Sequence, residues 1–131
     1  MAETRPAGCS VFLVEDEVMI RMMVADMLEE LGHSVAAEAG EIGEAVKLVQ
    51  STEFDLAILD VNVNGKVITP VAELITARNR PFIFATGYSE RNDVFSAFPS
   101  ARVVGKPFAG EELIAAIVSV LGSAGGAAAA M

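Results

Sequence analysis

The chain is short of cysteine, of basic residues and of long apolar runs, and each shortage closes off a class of protein. Cys9 is the single cysteine in 131 residues, so no disulfide framework forms within one chain, and a reducing cytosol is the expected compartment. Bases number 9 against 18 acids, for a formal net charge of -9. A chain of that sign repels nucleic-acid phosphates and anionic membrane surfaces, so neither is an expected partner. No apolar run reaches the ~18 residues that a membrane span needs. No secretory signal is read at the start, where Glu3, Arg5 and Pro6 stand in place of an apolar core. What is present is the composition of one globular domain, 53% apolar and 21% charged, large enough to bury a core without a metal or disulfide staple.

Residues 1–8 and 122–131 read as tails, the second a flexible run of glycine, serine and alanine, and residues 9–121 as the domain. Short apolar runs at 10–14, 34–37, 56–59, 82–85 and 102–104 have the character of strands buried on both faces, the first, third and fourth most clearly. Helical periodicity separates them. Residues 17–31 place Ile20, Val24, Met27, Leu28 and Leu31 on one face and stop at Gly32. Residues 41–50, 67–78, 89–95 and 110–121 supply four more helices, the last carrying Leu113, Ile114, Ile117 and Leu121. Met19, Met22, Met23 and Met27 are expected to pack rather than to form a cofactor site. Cys9 is expected to be a buried, inert thiol and His33 a solvated turn residue. Five strands alternating with five helices predict an α/β, flavodoxin-like doubly wound sheet of five parallel strands in the order 2-1-3-4-5. Ligands of such sheets bind at the carboxyl ends of the strands.

The polar residues just past the strands therefore decide what the crevice does. Glu15, Asp16 and Glu17 follow the first strand, Asp60 the third, Thr86 and Gly87 the fourth, and Lys106 with Pro107 the fifth. Asp16, Asp60, Thr86 and Lys106 succeed one another at intervals of 44, 26 and 20 residues, two strand–helix units and then one each, so all four fall on one edge of the sheet. Glu15, Asp16 and Asp60 crowded together repel one another and call for a cation, and oxygen-only ligands favour a hard one such as Mg2+. A carboxylate beside Mg2+ and the ammonium of Lys106 suits phosphoryl transfer, with Asp60 as the nucleophile that becomes an acyl phosphate. Thr86 and the backbone N–H groups at Asn62 and Gly87 are placed to donate to the phosphoryl oxygens. Singly, each feature has an ordinary explanation: acids favour helix N-termini and a lone Asp favours turns. All of them at matching strand ends do not.

Four runs, Val-Phe-Leu-Val-Glu-Asp-Glu (11–17), Asp-Leu-Ala-Ile-Leu-Asp (55–60), Phe-Ala-Thr-Gly-Tyr (84–88) and Gly-Lys-Pro-Phe (105–108), together resemble the receiver domain of bacterial response regulators, the switch of two-component systems, over about residues 9 to 121. The resemblance implies a cytoplasmic signalling switch rather than a conventional enzyme, with Asp60 phosphorylated by a histidine kinase or a histidine phosphotransfer protein. It implies Mg2+ held by Asp16, Asp60 and the backbone carbonyl of Asn62, with Glu15 acting through water. It implies Lys106 contacting the phosphoryl group, Thr86 moving toward it, and a cis bond before Pro107.

The sequence departs from the family pattern at three places. Val103 stands where the family has a switch aromatic, Asn64 where the loop after the phosphoacceptor has proline, and Ala109 where the last helix has an Asp cap. With the run 81–88, these departures resemble a stand-alone subgroup named for its Phe-Ala-Thr-Gly-Tyr motif, and Tyr88 is expected to take the switch role. No effector segment follows residue 121 here, so output is expected through protein contact or onward phosphotransfer. The contact face is the one built from the fourth helix, fifth strand and fifth helix. The last helix has no charge after Glu112, and Ala115, Ala116, Val118 and Ser119 are read as its outer or lateral residues, a surface for a partner or a homodimer. Two rival readings remain: a degenerate receiver that binds partners without phosphorylation, and a small phosphatase of the haloacid-dehalogenase type. The phosphatase needs a second Asp where Asn62 stands.

Overall fold

A computed structural model describes residues 8–87, 92–99, 101–106 and 110–129, with no side chains described for 92, 93 and 122–129. Tyr88, Pro107 and Ala109 lie outside the described residues, so the switch and cis-bond expectations fall there too. Along the chain run β1 (Ser10–Val14), α1 (Val18–Glu30), β2 (Ser34–Ala39), α2 (Ile42–Ser51), β3 (Leu56–Asp60), β4 (Asn62–Val63), β5 (Lys66–Val67), α3 (Thr69–Ala77), β6 (Phe82–Thr86), α4 (Asn92–Ala97), β7 (Arg102–Gly105) and α5 (Gly110–Ala129). Five strands form one parallel sheet in the order β2-β1-β3-β6-β7. This is the expected 2-1-3-4-5 arrangement once the two-residue strands of the β4–β5 hairpin are set aside. No helix among the described residues is long and apolar enough to cross a membrane.

Side chains alternate across a strand, so a strand apolar at every position feeds two cores. β1 sends Phe12 and Val14 to one face with Ala57, Leu59, Phe82 and Phe84, under α2, α3 and α4. It sends Val11 and Leu13 to the other with Leu56, Ile58 and Ile83, under α1 and α5. Only β1, β3 and β6 are covered on both faces. β2 and β7 are the sheet edges, and their residues alternate with solvent or face it, contrary to the expectation of full burial. An edge strand has a neighbour on one side only, so less of its surface is covered.

α1 closes as its sequence dictates. Gly32 sits at φ +94, its N–H reaches Glu29 O, and the His33 N–H reaches Leu28 O, the paired bonds of a glycine-terminated helix. Other elements differ from the reading. α3 starts at Thr69, because residues 66 and 67 belong to the hairpin. α5 runs to Ala129, past the stop expected after Leu121; alanine's helix propensity outlasts the glycines. Met19, Met22 and Met23 do not pack: they are exposed, Met19 to 82%, because Val24 and Leu28 already fill the buried stripe of α1. In α5 Ala116 is buried beside Leu113 and Ile117, while Ile114 is exposed. The small residue is the one that allows close approach to the sheet.

Candidate functional site

Parallel register builds the site. Val14 pairs with Leu59, so Glu15 follows beside Asp60, the last residue of β3. Asp60 pairs with Ala85, Thr86 with Gly105, and Lys106 comes next. The structure thus brings Glu15, Asp16, Asp60, Thr86 and Lys106 to one edge. Glu15, Asp60 and Thr86 are the three buried polar residues among the described ones.

Lys106 is the hub. Its Nζ lies 2.7 Å from Glu15 Oε1 and 3.2 Å from Asp60 Oδ2. Its own N–H donates to Thr86 O at 2.7 Å, which fixes where the side chain starts. Glu15 accepts a second bond at Oε2 from the Glu17 N–H at 3.1 Å. The Thr86 hydroxyl donates to the Gly87 carbonyl at 2.9 Å rather than into the crevice. Asn62 opens the hairpin two residues after Asp60 and pairs with Val67.

The charges do not balance locally. Burial pushes the Asp60 carboxyl from 3.8 up to about 7, with the Glu15 charge and then Asp16 adding to it, while Lys106 pulls the other way. Burial alone would lower Lys106, but its hydrogen bond to Glu15 and the charges of Asp60 and Glu15 raise it above 10.5. Glu15, Asp16 and Asp60 each offer a carboxylate oxygen within 4.8 Å of the others. Such an all-oxygen acidic set fits a hard dication such as Mg2+.

Sequence reasoning missed the residues that hold this loop. The N–H of Asn64 donates to Asp16 Oδ2 at 2.9 Å, and Arg21 donates to the Glu15 carbonyl at 2.7 Å while pairing with Glu38 at 3.1 Å. The signal for the first was present: Asn64-Gly65 between Val63 and Lys66 is a hairpin signature. The second carried none, since Arg21 reads as the outer face of α1. At the opposite end of β1, Cys9 is buried as expected, but His33 is not simply solvated. It is half-buried, and its Nδ1 accepts the Cys9 N–H at 3.1 Å. The turn after Gly32 delivers it there.

Residues 11–118 match the family model described as the response regulator receiver domain. The transcriptional regulatory protein PdtaR of Mycobacterium tuberculosis is 36% identical over 110 residues, covering 82% of this chain and 54% of that protein. The phyllosphere-induced regulator PhyR of Methylorubrum extorquens is 30% identical over 114 residues, 85% of this chain and 43% of that one. The chain therefore spans about half the length of these relatives. Among solved structures, SdrG from Sphingomonas melonis Fr1 is 38% identical with a TM-score of 0.78, over 88% of this chain and 98% of that one.

Proposed function

The chain belongs to the response regulator receiver domain family, and on that premise we propose that it is a phosphoacceptor switch. Asp60 takes a phosphoryl group from a phosphohistidine on a histidine kinase or histidine phosphotransfer protein, and the phosphorylated form signals by protein contact or passes the group on. The observation that carries this reading is the buried cluster of Glu15, Asp60 and Lys106 with Asp16 beside it. An Asp60 oxygen attacks phosphorus, the P–N bond to the imidazole breaks, and the departing ring keeps the electron pair and takes up a proton. Asp60 must be ionised to attack, and its upward-shifted pKa makes that dependent on nearby positive charge. Lys106 supplies part of it. Glu15, Asp16, Asp60 and the Asn62 carbonyl would hold Mg2+, which supplies the rest and neutralises phosphoryl oxygens. Lys106 then exchanges its contact with Asp60 for one with the phosphoryl group, and the Thr86 hydroxyl turns from Gly87 O toward the same oxygens.

Two exposed apolar surfaces support protein partners. Val18, Met19, Met22 and Met23 open α1 directly after the acidic loop, where a protein phosphodonor must lie to reach Asp60. Ile114 and Val118 on α5, with Val103 on β7, offer a second surface for a downstream partner or a second copy. The test of the core reading is intact mass after incubation with Mg2+ and acetyl phosphate. Wild type gains one phosphoryl group and Asp60→Asn gains none. An adduct that persists in Asp60→Asn, or a wild type unmodified and also unresponsive to beryllofluoride, refutes it.

A further inference from the structure

The hairpin after Asp60 does more than connect β3 to α3. Asn64 and Gly65 are its two loop residues, at φ +52 and +78. Positive φ at both central residues is the turn that matches strand twist, and asparagine tolerates it better than other side chains bearing a Cβ. The first loop residue of such a turn has an N–H outside the ladder, and here that N–H reaches Asp16 Oδ2 at 2.9 Å. The Asn64 side chain donates to Gly40 O at 3.2 Å. Gly40 in turn lies against Arg21: a Cβ there would sit 2.8 Å from a guanidinium nitrogen, the same nitrogen that donates to the Glu15 carbonyl. Asn64, Gly40 and Arg21 thus enclose the loop that carries Glu15 and Asp16. Donation to an ionised carboxylate is stronger than a neutral hydrogen bond and fixes its orientation.

We propose that Asn64 is a positioning residue for Asp16: its N–H holds one carboxylate oxygen, and its side chain pins the hairpin to the turn before α2, so that Asp16 is set for a divalent cation before the cation arrives. The inference rests on the phosphoacceptor reading above and deepens it. Asn64→Gly keeps the turn and the N–H but loses the tie to Gly40; Asn64→Ala loses the tie and also asparagine's tolerance of the left-handed region. Phosphorylation by acetyl phosphate is followed against Mg2+ concentration, with Mg2+ affinity of the unphosphorylated chain measured by calorimetry. The loss of one hydrogen bond predicts half-saturation roughly 3-fold higher in Asn64→Gly, and higher again, by about 10-fold in total, in Asn64→Ala. The rate at saturating Mg2+ stays within about 2-fold of wild type, because the nucleophile and Lys106 are untouched. Unchanged Mg2+ affinity in both variants overturns the proposal, as does a fall in maximal rate without a change in affinity. A wild type that binds no Mg2+ removes the phosphoacceptor reading and this inference with it, an outcome visible before any substitution is made.

Discussion

β1 ends in a polar cluster at each of its two ends, and the two clusters are built in opposite ways. At the amino end the side chains are matched to backbone donors. The Cys9 N–H meets His33 Nδ1 at 3.1 Å and the Ser10 N–H meets Asp55 Oδ2 at 2.8 Å. Burial, then the Asp55 charge, pushes the Cys9 thiol up to about 11, so it stays protonated and quiet. At the carboxyl end three carboxylates crowd together, two of them sharing one lysine, and Asp60 is driven up to about 7. Polar groups closed against the backbone hold structure. Polar groups crowded with their own sign hold a place for something else.

Lys106→Met is the largest expected blow to that contrast. It removes the cation shared by Glu15 and Asp60, and phosphorylation by acetyl phosphate falls by about 100-fold or more. His33→Ala at the other end leaves that rate within about 2-fold; an equal loss from both would erase the distinction. Asp60→Asn sharpens it through pH. Folded Asp60 titrates at about 7 against 3.8 when unfolded, so the folded state holds the extra proton between those values, and its contribution to stability is lost as pH rises through 7. Asparagine does not ionise. Without Mg2+, Asp60→Asn is therefore more stable than wild type at pH 8, by on the order of 1 kcal/mol after allowing for solvent screening, and the gain vanishes near pH 4 in thermal melts. A gain independent of pH would assign it to packing instead.

His33→Ala removes the acceptor of a half-buried N–H and costs about 1 kcal/mol, a drop of roughly 4 °C in Tm. The smallest effect is chemical. Native Cys9 reacts with a disulfide reagent only as fast as the chain opens, and much faster in denaturant. Rapid native labelling would show that the amino-end cluster is not closed.

The interior strands and the crevice were legible in the sequence because both depend on local character. Val11 to Val14, Leu56 to Leu59 and Phe82 to Ala85 are apolar at every position, and their shared register carries Glu15, Asp60, Thr86 and Lys106 to one edge. The edge strands were misjudged because an apolar run does not reveal how many neighbours a strand has. The exposed methionines were misjudged because periodicity finds a buried stripe and says little about apolar residues beside it. The α5 residues Ile114 and Ala116 exchanged places for a packing reason, the close approach that a small side chain permits. His33 and Arg21 meet partners through the fold: His33 reaches Cys9, 24 residues away, and Arg21 reaches Glu38, 17 away. The hairpin was signalled by Asn64-Gly65, but strands of two residues are too short for alternation to show.

The ion pair between Glu15 and Lys106 closes 91 positions of chain, and the bond from Asn64 to Asp16 closes 48. Closing loops of that length costs entropy before it returns any contact, and folds rich in such contacts form slowly. Synthesis runs from the amino end, so a nascent chain carries Glu15, Asp16 and Asp60 well before Lys106 has left the ribosome. The acidic half of the crevice is made first, without the lysine that offsets part of its charge. The crevice becomes complete only when its final strand–helix unit docks, which makes it a report on the folding of the whole domain.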